Sequence, residues 1–371
     1  MYYFAFSFVL AILFTGCSVK YEQKPSVSKG NLQEVKWNEL QDFEKDDIAK
    51  AFEVFKKGCE RSSKNPLLTQ MCELAQMDIS PTEFFHSNFT PYQLISDDGD
   101  KHGLITGYYE PILQGSLTQT AKYKYPVFKR PSDLLIIDLS DVYPELRDYR
   151  LRGKLYGNRV IPYYSREEID KGVNSKLEPI CYVDDKIGLF FLHIQGSGKI
   201  QLEDGTILNI GYSGQNGRPY YAIGKKLIEE GHIAKEDVSL QSIRMWLENN
   251  PTRIDEILNL NESYVFFKKS EQSATGSLGV ELVPFRNLAV DRKYIPLGFP
   301  VFIDTTNPLD GSSIRQLMVA ADTGGAIKGE IRADFFFGSG AQAKELAGKM
   351  KQKGNLYILI PNNIKDEKDA H

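Results

Sequence analysis

Residues 320–329 read AADTGGAIKG, and the C-terminal part of the chain is organised around them. An apolar, strand-like run leads to Asp322. Gly324 and Gly325 then allow a sharp turn and leave room for a ligand to approach the backbone. We therefore expect Asp322 at the rim of a sheet, with little bulk in front of it. The alternative is an aspartate that only caps the following turn through its own side chain.

Two more aspartates stand in similar settings. Asp291 follows the apolar residues 288–290, and Asp334 opens the apolar run 334–337. Three carboxylates at one mouth of a barrel would repel one another, so at least one should hold its proton more readily than a free aspartate. A proton donor near neutral pH needs this property. A positive charge from Lys328 would act in the opposite direction if it faced the same site.

The pattern of apolar residues predicts a mainly β protein with peripheral helices. Short strands that alternate with glycine corners are typical of a small closed barrel. Upstream, the clearest predicted strand is 188–195, followed by Gly196, Ser197 and Gly198. The other predicted strands include 264–267, 301–303, 317–320, 334–337 and 356–360, and the predicted helices lie within 37–75, 218–230, 236–249, 253–258 and 341–351.

The cysteines after position 17 show no spacing typical of a metal site. Cys59 and Cys72 flank the turn-like residues 62–66 between two helical segments. Because disulfides persist in exported proteins, we predict that these two cysteines pair. A loop this short would be stabilised by about 3 kcal/mol in the chain-entropy treatment. Cys181 lies in a strand-like run and is predicted to be a buried free thiol.

Residues 1–17 read MYYFAFSFVLAILFTGC and predict a lipoprotein signal peptide at 1–16. Cleavage would leave Cys17 as the lipid-bearing N-terminus. The apolar run is too short to span a bilayer comfortably, since a spanning helix needs roughly 20 apolar residues. An uncleaved N-terminal anchor is the alternative, because no Lys or Arg precedes the run and Phe14 stands where Leu is usual.

The expected location is the periplasmic face of the outer membrane. Ser18, rather than Asp, follows the cysteine, as is usual in bacterial lipoproteins that travel to the outer membrane. Residues 17–30 are polar and predict a mobile tether, and residues 363–371 predict a disordered tail.

The composition excludes one class of partner. With 371 residues the chain suits two domains, or one large domain with a substantial insertion. Its 45 basic and 49 acidic residues are balanced, whereas nucleic-acid binding normally needs a concentrated positive surface. We therefore do not expect nucleic acid as a partner. The 20 Tyr and 21 Phe offer platforms for the apolar faces of sugars, although most such rings pack in cores.

Four ordered motifs resemble one enzyme family. They are TGYYEP at 106–111, FFLHIQGSG at 190–198, GY at 211–212 with NGRPY at 216–220, and the three-aspartate region 288–334. Together they are similar to the membrane-bound lytic transglycosylase A family. The resemblance covers nearly the whole chain from about residue 100 onward.

The resemblance implies a double-psi β-barrel, assembled from both sides of an inserted second β domain, with a glycan groove between the two. We expect the barrel domain, with its N-terminal helices, at 31–112 and 241–362. The inserted domain is expected at 113–240.

The resemblance also implies that Asp322 is the single catalytic acid/base. In this family the carboxyl protonates the glycosidic oxygen between N-acetylmuramic acid and N-acetylglucosamine. The 6-hydroxyl of the muramic acid residue then closes on its own anomeric carbon and leaves a 1,6-anhydro end. An intramolecular nucleophile is already at high effective concentration, so one residue can act as acid and then as base. The enzyme would be a lyase, an exotransglycosylase, without metal or cofactor.

Other residues receive supporting parts from the same resemblance. Asp334 would orient Asp322 or stabilise positive charge developing on the sugar, whereas Asp291 would lie in the site or be structural. His193 would share a strand face with Gln195, but a satisfied structural histidine is the preferred interpretation. For each remaining groove candidate, the alternative is a purely structural role in a turn or in the hydrophobic core. These candidates are Thr106, Tyr108, Tyr109, Gln195, Gly196, Ser197, Tyr212, Gly324 and Gly325.

Two other functions compete with this one. A hydrolase would use Asp322 and Asp334 as an acid and base pair and leave reducing ends. A non-catalytic glycan-binding module could use the same barrel, because a fold alone does not guarantee activity. In each case the expected ligand is the peptidoglycan strand, and complexes of cell-wall synthesis or hydrolysis are candidate partners.

Overall fold

The computed structural model of the protein describes residues 32–146, 149 and 151–362. The predicted signal peptide, Cys17, the tether and the tail at 363–371 lie outside the described residues. The strands of the described ranges are β1 (Leu32–Glu34), β2 (Phe89–Leu94), β3 (Gly103–Glu110), β4 (Ile112–Ser116), β5 (Tyr125–Phe128), β6 (Leu135–Ile136), β7 (Arg152–Tyr156), β8 (Arg159–Ile161), β9 (Pro179–Val183), β10 (Gly198–Leu202), β11 (Ile207–Gln215), β12 (Val265–Ser270), β13 (Asn287–Val290), β14 (Pro300–Thr306), β15 (Ser313–Asp322), β16 (Arg332–Ser339) and β17 (Lys351–Pro361).

Helices lie mainly at the periphery of the sheets, as predicted. Short 3-10 turns at Trp37–Glu39, Phe43–Lys45, Pro144–Leu146 and Pro251–Arg253 supplement them. The α-helices are α1 (Ile48–Ser62), α2 (Thr69–Leu74), α3 (Pro81–Asn88), α4 (Arg166–Asp170), α5 (Lys186–Gln195), α6 (Ile223–Glu229), α7 (Leu240–Asn249), α8 (Ile254–Asn259) and α9 (Ala341–Lys349).

Six strands close into a barrel, in agreement with the predicted small barrel. Their order is β17-β14-β15-β13-β16-β3, and β3 pairs back onto β17, from Thr106 opposite Lys351 to Gly103 opposite Gly354. Within this ring β13 is parallel to β15, and β16 is parallel to β3. Since β3 precedes the second sheet and the other five strands follow it, the barrel is assembled from both sides of an insertion.

The outer wall of the barrel is covered by the N-terminal helices. The helix α1 packs against β15 and buries an apolar face that includes Phe52 and Phe55. Because α1 covers its outer side, β15 is buried on both faces from Leu317 to Ala321. A disulfide between Cys59 and Cys72 joins α1 to α2, which confirms the predicted pair.

A second sheet of six strands forms the inserted unit, in the order β12-β11-β10-β4-β9-β5. The predicted end of this unit at residue 240 was too early, because β12 pairs along β11 and completes the sheet. Cys181 on β9 is buried and, among the described cysteines, free, as predicted. The strands β6, β7 and β8 form a separate small sheet within the same stretch of the sequence.

The predicted strand at 188–195 was wrong, because this segment is the helix α5. The Asp185 side chain caps its N-terminus by accepting the Gly188 N–H at 2.8 Å. Gly196 ends it in the left-handed region with φ 79°. A short run that is apolar at most positions cannot be assigned to strand or buried helix by periodicity, and here the two caps decide for helix.

Other predicted elements are present with shifted ends. The helix predicted at 218–230 begins at Ile223, and the one predicted at 236–249 begins at Leu240, where Ser239 caps it by accepting the Ser242 N–H. Across the described residues, no helix has the length and apolar character needed to cross a membrane.

Candidate active site

The strand β15 delivers Asp322 to its last position, at the mouth of the barrel. Three donors hold one oxygen of its carboxyl group. The Ser277 N–H and hydroxyl donate to Oδ1 at 2.9 and 2.8 Å, and the Thr323 N–H donates at 2.8 Å. Within the described residues no hydrogen bond is formed to Oδ2. The second oxygen is therefore the one on which a transferable proton would lie.

Burial raises the pKa of the Asp322 carboxyl, and the hydrogen bonds from Ser277 and Thr323 lower it in part. The side chain keeps some surface open to solvent although protein atoms surround it, which places it at the floor of a recess. The expected direction was right, but its cause was not. Desolvation, and not repulsion among three carboxylates, is the largest effect, and the exposed Lys328 is not among the main causes.

The residue that anchors Asp322 comes from a loop between β12 and β13. This loop crosses the end of β15, where the Leu278 N–H donates to the Ala321 carbonyl at 2.9 Å. A Cβ atom at Gly276 would stand 2.4 Å from the same carbonyl oxygen. Only glycine therefore allows the loop to approach closely enough for Ser277 to reach the carboxyl.

The base of this loop is tied to the junction between the barrel and the second sheet. Glu110, at the end of β3, is buried and accepts a hydrogen bond from the Ser273 hydroxyl at 2.8 Å. Lys199, on β10 of the second sheet, forms an ion pair with the same Glu110 oxygen at 3.0 Å. The loop that holds the acid is thus connected to both structural units.

The second carboxyl, Asp334, is engaged by an arginine. Arg332 donates to Asp334 Oδ1 at 2.9 Å and to the Thr106 hydroxyl at 2.7 Å. Asp334 and Thr106 are direct partners in the pairing of β16 with β3, so the three side chains meet on one face. Burial raises the pKa of Asp334, and the Arg332 charge opposes this shift. Thr106 is therefore part of an ion-pair cluster at the site.

Asp291 contacts the backbone. Its carboxylate accepts the Lys293 N–H at 3.2 Å and the Gly329 N–H at 3.1 Å, and its side chain is buried. The second bond secures the end of the loop that begins at Thr323. Asp291 thus shapes this loop, as its structural interpretation supposed. Its contact with a sugar stays a prediction.

The two glycines of this loop differ. A Cβ atom at Gly324 would stand 2.7 Å from the Ile327 side chain, whereas one at Gly325 would meet nothing within 4 Å. Gly325 is exposed, so the space in front of it is open. The backbone at Gly325, three residues after Asp322, is therefore open to solvent.

Two predicted groove residues prove to connect the barrel and the second sheet. The Gln195 side chain, on α5, accepts the Tyr109 N–H at 3.1 Å through Oε1. Tyr109 itself is buried in the barrel core. Gly196 and Ser197 follow as the turn from α5 into β10, next to this connection. The expectation that Gln195 ends a strand is corrected, because it is the last residue of a helix.

Tyr108 points into the site from β3. Its ring is only 9% exposed and packs against Phe336 with centroids 5.0 Å apart, so it offers no open face for stacking on a sugar. Burial raises the pKa of its hydroxyl well above the usual value, and the charges of Asp322 and Asp334 add to this effect. The hydroxyl therefore lies near both carboxyl groups.

Two aromatic residues of the second unit are exposed. Tyr212, a predicted groove residue on β11, is 43% exposed, next to an irregularity in the pairing with β12. Tyr220 is also 43% exposed, and burial of its hydroxyl together with the charge of Asp334 raises its pKa. The Asp334 charge acts on the Tyr220 hydroxyl, so Tyr220 lies near Asp334, whereas Tyr212 stays a predicted groove residue.

His193 is a structural residue, as preferred from the sequence. It is buried, its Nδ1 lies 2.9 Å from Arg166 Nη1, and its ring packs against Tyr264 and Phe267. Burial and the Arg166 charge lower its pKa well below the usual value, so it stays neutral. In the described part of the chain, no group of three or more His, Cys, Asp or Glu side chains is arranged to hold a metal ion.

Sequence reasoning missed Ser277, Arg332 and Tyr220 as parts of the site. The position of Arg332 carried a usable signal, because residues two apart on a strand share a face and Arg332 stands two before Asp334. Tyr220 lay within a recognised motif but received no role. Ser277 had no local signal, since it contacts Asp322 across 45 residues of sequence.

Comparison with known proteins accounts for most of the chain. Residues 104–268 match the family described as MltA specific insert domain, and residues 286–360 match the 3D domain. Membrane-bound lytic murein transglycosylase A of Escherichia coli K12 is 34% identical over 273 residues, which is 71% of this chain and 67% of that protein.

Solved structures show the same relationship. A membrane-bound lytic murein transglycosylase from Agrobacterium tumefaciens is 32% identical, with a TM-score of 0.80 over 90% of this chain and 98% of that one. The structure of E. coli MltA with bound chitohexaose is 28% identical, with a TM-score of 0.67 over 85% and 90% of the two chains. In sequence and in fold, the chain belongs to the membrane-bound lytic murein transglycosylase A family.

Proposed function

We propose that this protein is a peptidoglycan lytic transglycosylase that cleaves the bond between N-acetylmuramic acid and N-acetylglucosamine without consuming water. Family membership supports the enzyme class. The observation that supports the mechanism is the difference between the two oxygens of the Asp322 carboxyl group. Oδ1 accepts hydrogen bonds from three donors, whereas Oδ2 accepts none within the described residues.

The reaction requires one residue to give and then take a proton. The raised pKa of Asp322 makes its carboxyl a better holder of a proton than a free aspartate, and we place this proton on Oδ2. This proton passes to the glycosidic oxygen as the bond to the anomeric carbon of the muramic acid breaks. The 6-hydroxyl of that sugar attacks the carbon, and its proton returns to the Asp322 carboxylate. The enzyme is regenerated, and the product is a 1,6-anhydro end.

The oxygen Oδ1 has a different part in this scheme. Its three donors stabilise the carboxylate that forms when the proton leaves, and they are preorganised because two of them are backbone N–H groups. Burial raises the pKa of the acid and so favours its protonated form, and these donors limit the rise. The balance of the two effects suits a group that serves as acid and as base.

Asp334 is poorly suited to be a second catalytic carboxylate. A hydrolase would need it free to activate a water molecule. Its Oδ1 is instead paired with Arg332, which also binds Thr106. We assign Asp334 a supporting role, in which it holds a negative charge near the sugar whose anomeric carbon becomes positive.

We also propose the finer architecture that accompanies this function. The six-stranded ring is a double-psi β-barrel, and the glycan lies between it and the second sheet. The exposed side chains that border this path are Tyr212 and Tyr220, with the open backbone at Gly325 beside the acid. The E. coli relative was solved with chitohexaose, an oligosaccharide, which supports a sugar ligand for this chain.

The proposed location is the periplasmic face of the outer membrane, through a lipid on Cys17. The chain's relatives are named membrane-bound, which supports an association with a membrane. Complexes of cell-wall synthesis or hydrolysis remain the proposed partners.

Mass spectrometry of digested cell-wall sacculi tests the proposal. The wild type should release muropeptides whose ends are lighter by one water than hydrolytic products. Asp322→Asn should reduce release at least ~10³-fold, since it removes the proton donor. Asp334→Asn should release less product of the same anhydro type. Reducing ends from the wild type would favour the hydrolase, and glycan binding without any release would favour the binding module.

A further inference from the structure

The Tyr108 hydroxyl is a buried polar group without a partner. The ring packs among small and aromatic side chains of the barrel, including Ala289, Ala321 and Phe336. The hydroxyl has no hydrogen-bond partner in the described part of the chain. A buried hydroxyl without a partner is unfavourable, because the water that would satisfy it has been removed. A function of this hydroxyl in the reaction would offset this cost.

The position of the hydroxyl suggests what that role is. It is close enough to Asp322 for the two groups to alter each other's pKa, although the geometry of a hydrogen bond is not met. Catalytic hydrogen bonds are often long in the free enzyme and tighten when the substrate is bound. Since three donors already occupy Oδ1 of Asp322, the oxygen open to a further donor is Oδ2.

We infer that Tyr108 is a positioning residue whose hydroxyl donates a hydrogen bond to Oδ2 of Asp322 as this carboxyl gives its proton to the glycosidic oxygen. The inference rests on the proposed function. Tyr108 keeps its own proton throughout, and the proton that Asp322 releases goes to the leaving oxygen. The bond exists only while Asp322 is ionised, so it stabilises the transition state more than the ground state.

Other charged groups face the same recess and must be separated from this effect. Asp334 and its partner Arg332 stand on β16, and Tyr220 lies near Asp334. Asp291, at the end of β13, turns its carboxylate toward backbone N–H groups of the neighbouring loops. Of these groups, Asp334 acts on the Tyr108 hydroxyl by its charge.

The test compares Tyr108→Phe with Tyr357→Phe on muropeptide release. Both variants remove one hydroxyl from a barrel strand and leave a ring in the core. The Tyr357 ring packs against Phe302 and its hydroxyl accepts a hydrogen bond from Gln93, so this variant is the matched control. The readouts are kcat, KM and the dependence of kcat/KM on pH.

Tyr108→Phe should lower kcat about 10-fold with KM within about 2-fold, because a hydrogen bond to a charged group is lost in the transition state alone. The pH at which activity falls on the alkaline side should rise, since the donor lowers the pKa of Asp322. Tyr357→Phe should change neither quantity. Equal behaviour of the two variants, or a change in KM alone, overturns the inference.

A second measurement does not depend on whether Tyr108→Phe folds. With tyrosine labelled at the ζ carbon, one NMR signal of the wild type should move with pH at the midpoint of the activity profile. This signal should stop moving in Asp322→Asn and persist in Tyr220→Phe. The lack of such a signal also overturns the inference. Absence of anhydro products from the wild type would instead refute the proposed function.

Discussion

Removal of the Arg332 charge should destabilise the protein by leaving Asp334 buried without a partner. Arg332 donates to Asp334 at 2.9 Å, to Thr106 at 2.7 Å and to the Ala333 carbonyl at 2.6 Å. The two charged side chains are only 15% and 18% exposed. Loss of one partner from a buried ion pair lowers the free energy of unfolding by about 3–5 kcal/mol. Because both side chains keep some exposure to solvent, we expect Arg332→Met to lie at the lower end, with a loss of about 3 kcal/mol.

The double variant Arg332→Met/Asp334→Asn separates charge from packing. It removes the unpaired carboxylate and retains an amide of similar shape, so only the lost hydrogen bonds remain, at about 1 kcal/mol. The double variant should therefore be about 2 kcal/mol more stable than Arg332→Met alone. Lys349→Met, which breaks the exposed pair with Glu345, is the control and should cost less than about 0.5 kcal/mol.

The loss should depend on pH in a defined direction. Burial raises the pKa of Asp334, and without Arg332 it rises further above the unfolded value of about 3.9. At low pH a carboxyl whose pKa is raised in the folded state is protonated in both the folded and the unfolded protein. Its burial as a charge therefore costs no stability at low pH. Above about pH 4 the unfolded state ionises first, so the stability of Arg332→Met falls as pH rises.

Urea unfolding at pH 4 and pH 7 measures these quantities through the midpoint and slope of the transition. The deficit of Arg332→Met should be larger at pH 7 than at pH 4, and the double variant should show little difference between the two. Equal losses in the single and double variants at pH 7 would refute the claim that an unpaired charge is the cause.

Three further changes follow from the geometry of the site. Ser277→Ala removes a side-chain donor from the catalytic carboxylate but keeps the backbone donor, so activity should fall about 3- to 10-fold with an upward shift of the alkaline limit, seen in a pH–rate profile. Gly276→Ala places a Cβ atom 2.4 Å from the Ala321 oxygen and should reduce activity more than Ser277→Ala. Wild-type activity in this variant would refute the claim that the loop must approach the end of β15 closely. Cys59→Ser with Cys72→Ser opens a loop of 13-residue separation and should lower the free energy of unfolding by about 3 kcal/mol without a change in the reaction product.

The barrel was predictable from the sequence because its signals are local. Each C-terminal strand is a short apolar run that ends at glycine or a polar residue, and these runs correspond to β14–β17. The acid at position 322 was found for the same reason, since a strand end followed by two glycines is readable without knowledge of the tertiary fold. The helix at 186–195 was missed because burial on all sides removes the periodicity that separates helix from strand.

The environment of the acid was less predictable. Asp322 was expected to respond to other carboxylates, but its strongest influence is desolvation, which depends on how many chain segments surround it. Its anchor Ser277 arrives from a loop distant in sequence, and Tyr108 arrives from β3 before the insertion. Contacts between such distant segments are fixed by topology, and a single sequence carries no local trace of them.

The strand β17 is the last element of the chain in the described range, and it pairs with β2, β3 and β14. A polypeptide that leaves the ribosome with its N-terminus first holds an open ring until residue 361 has appeared. The ring therefore closes only after its other five strands have been made. Loss of Lys351–Pro361 would leave the barrel open at β3 and β14, however intact the acid at position 322 remained.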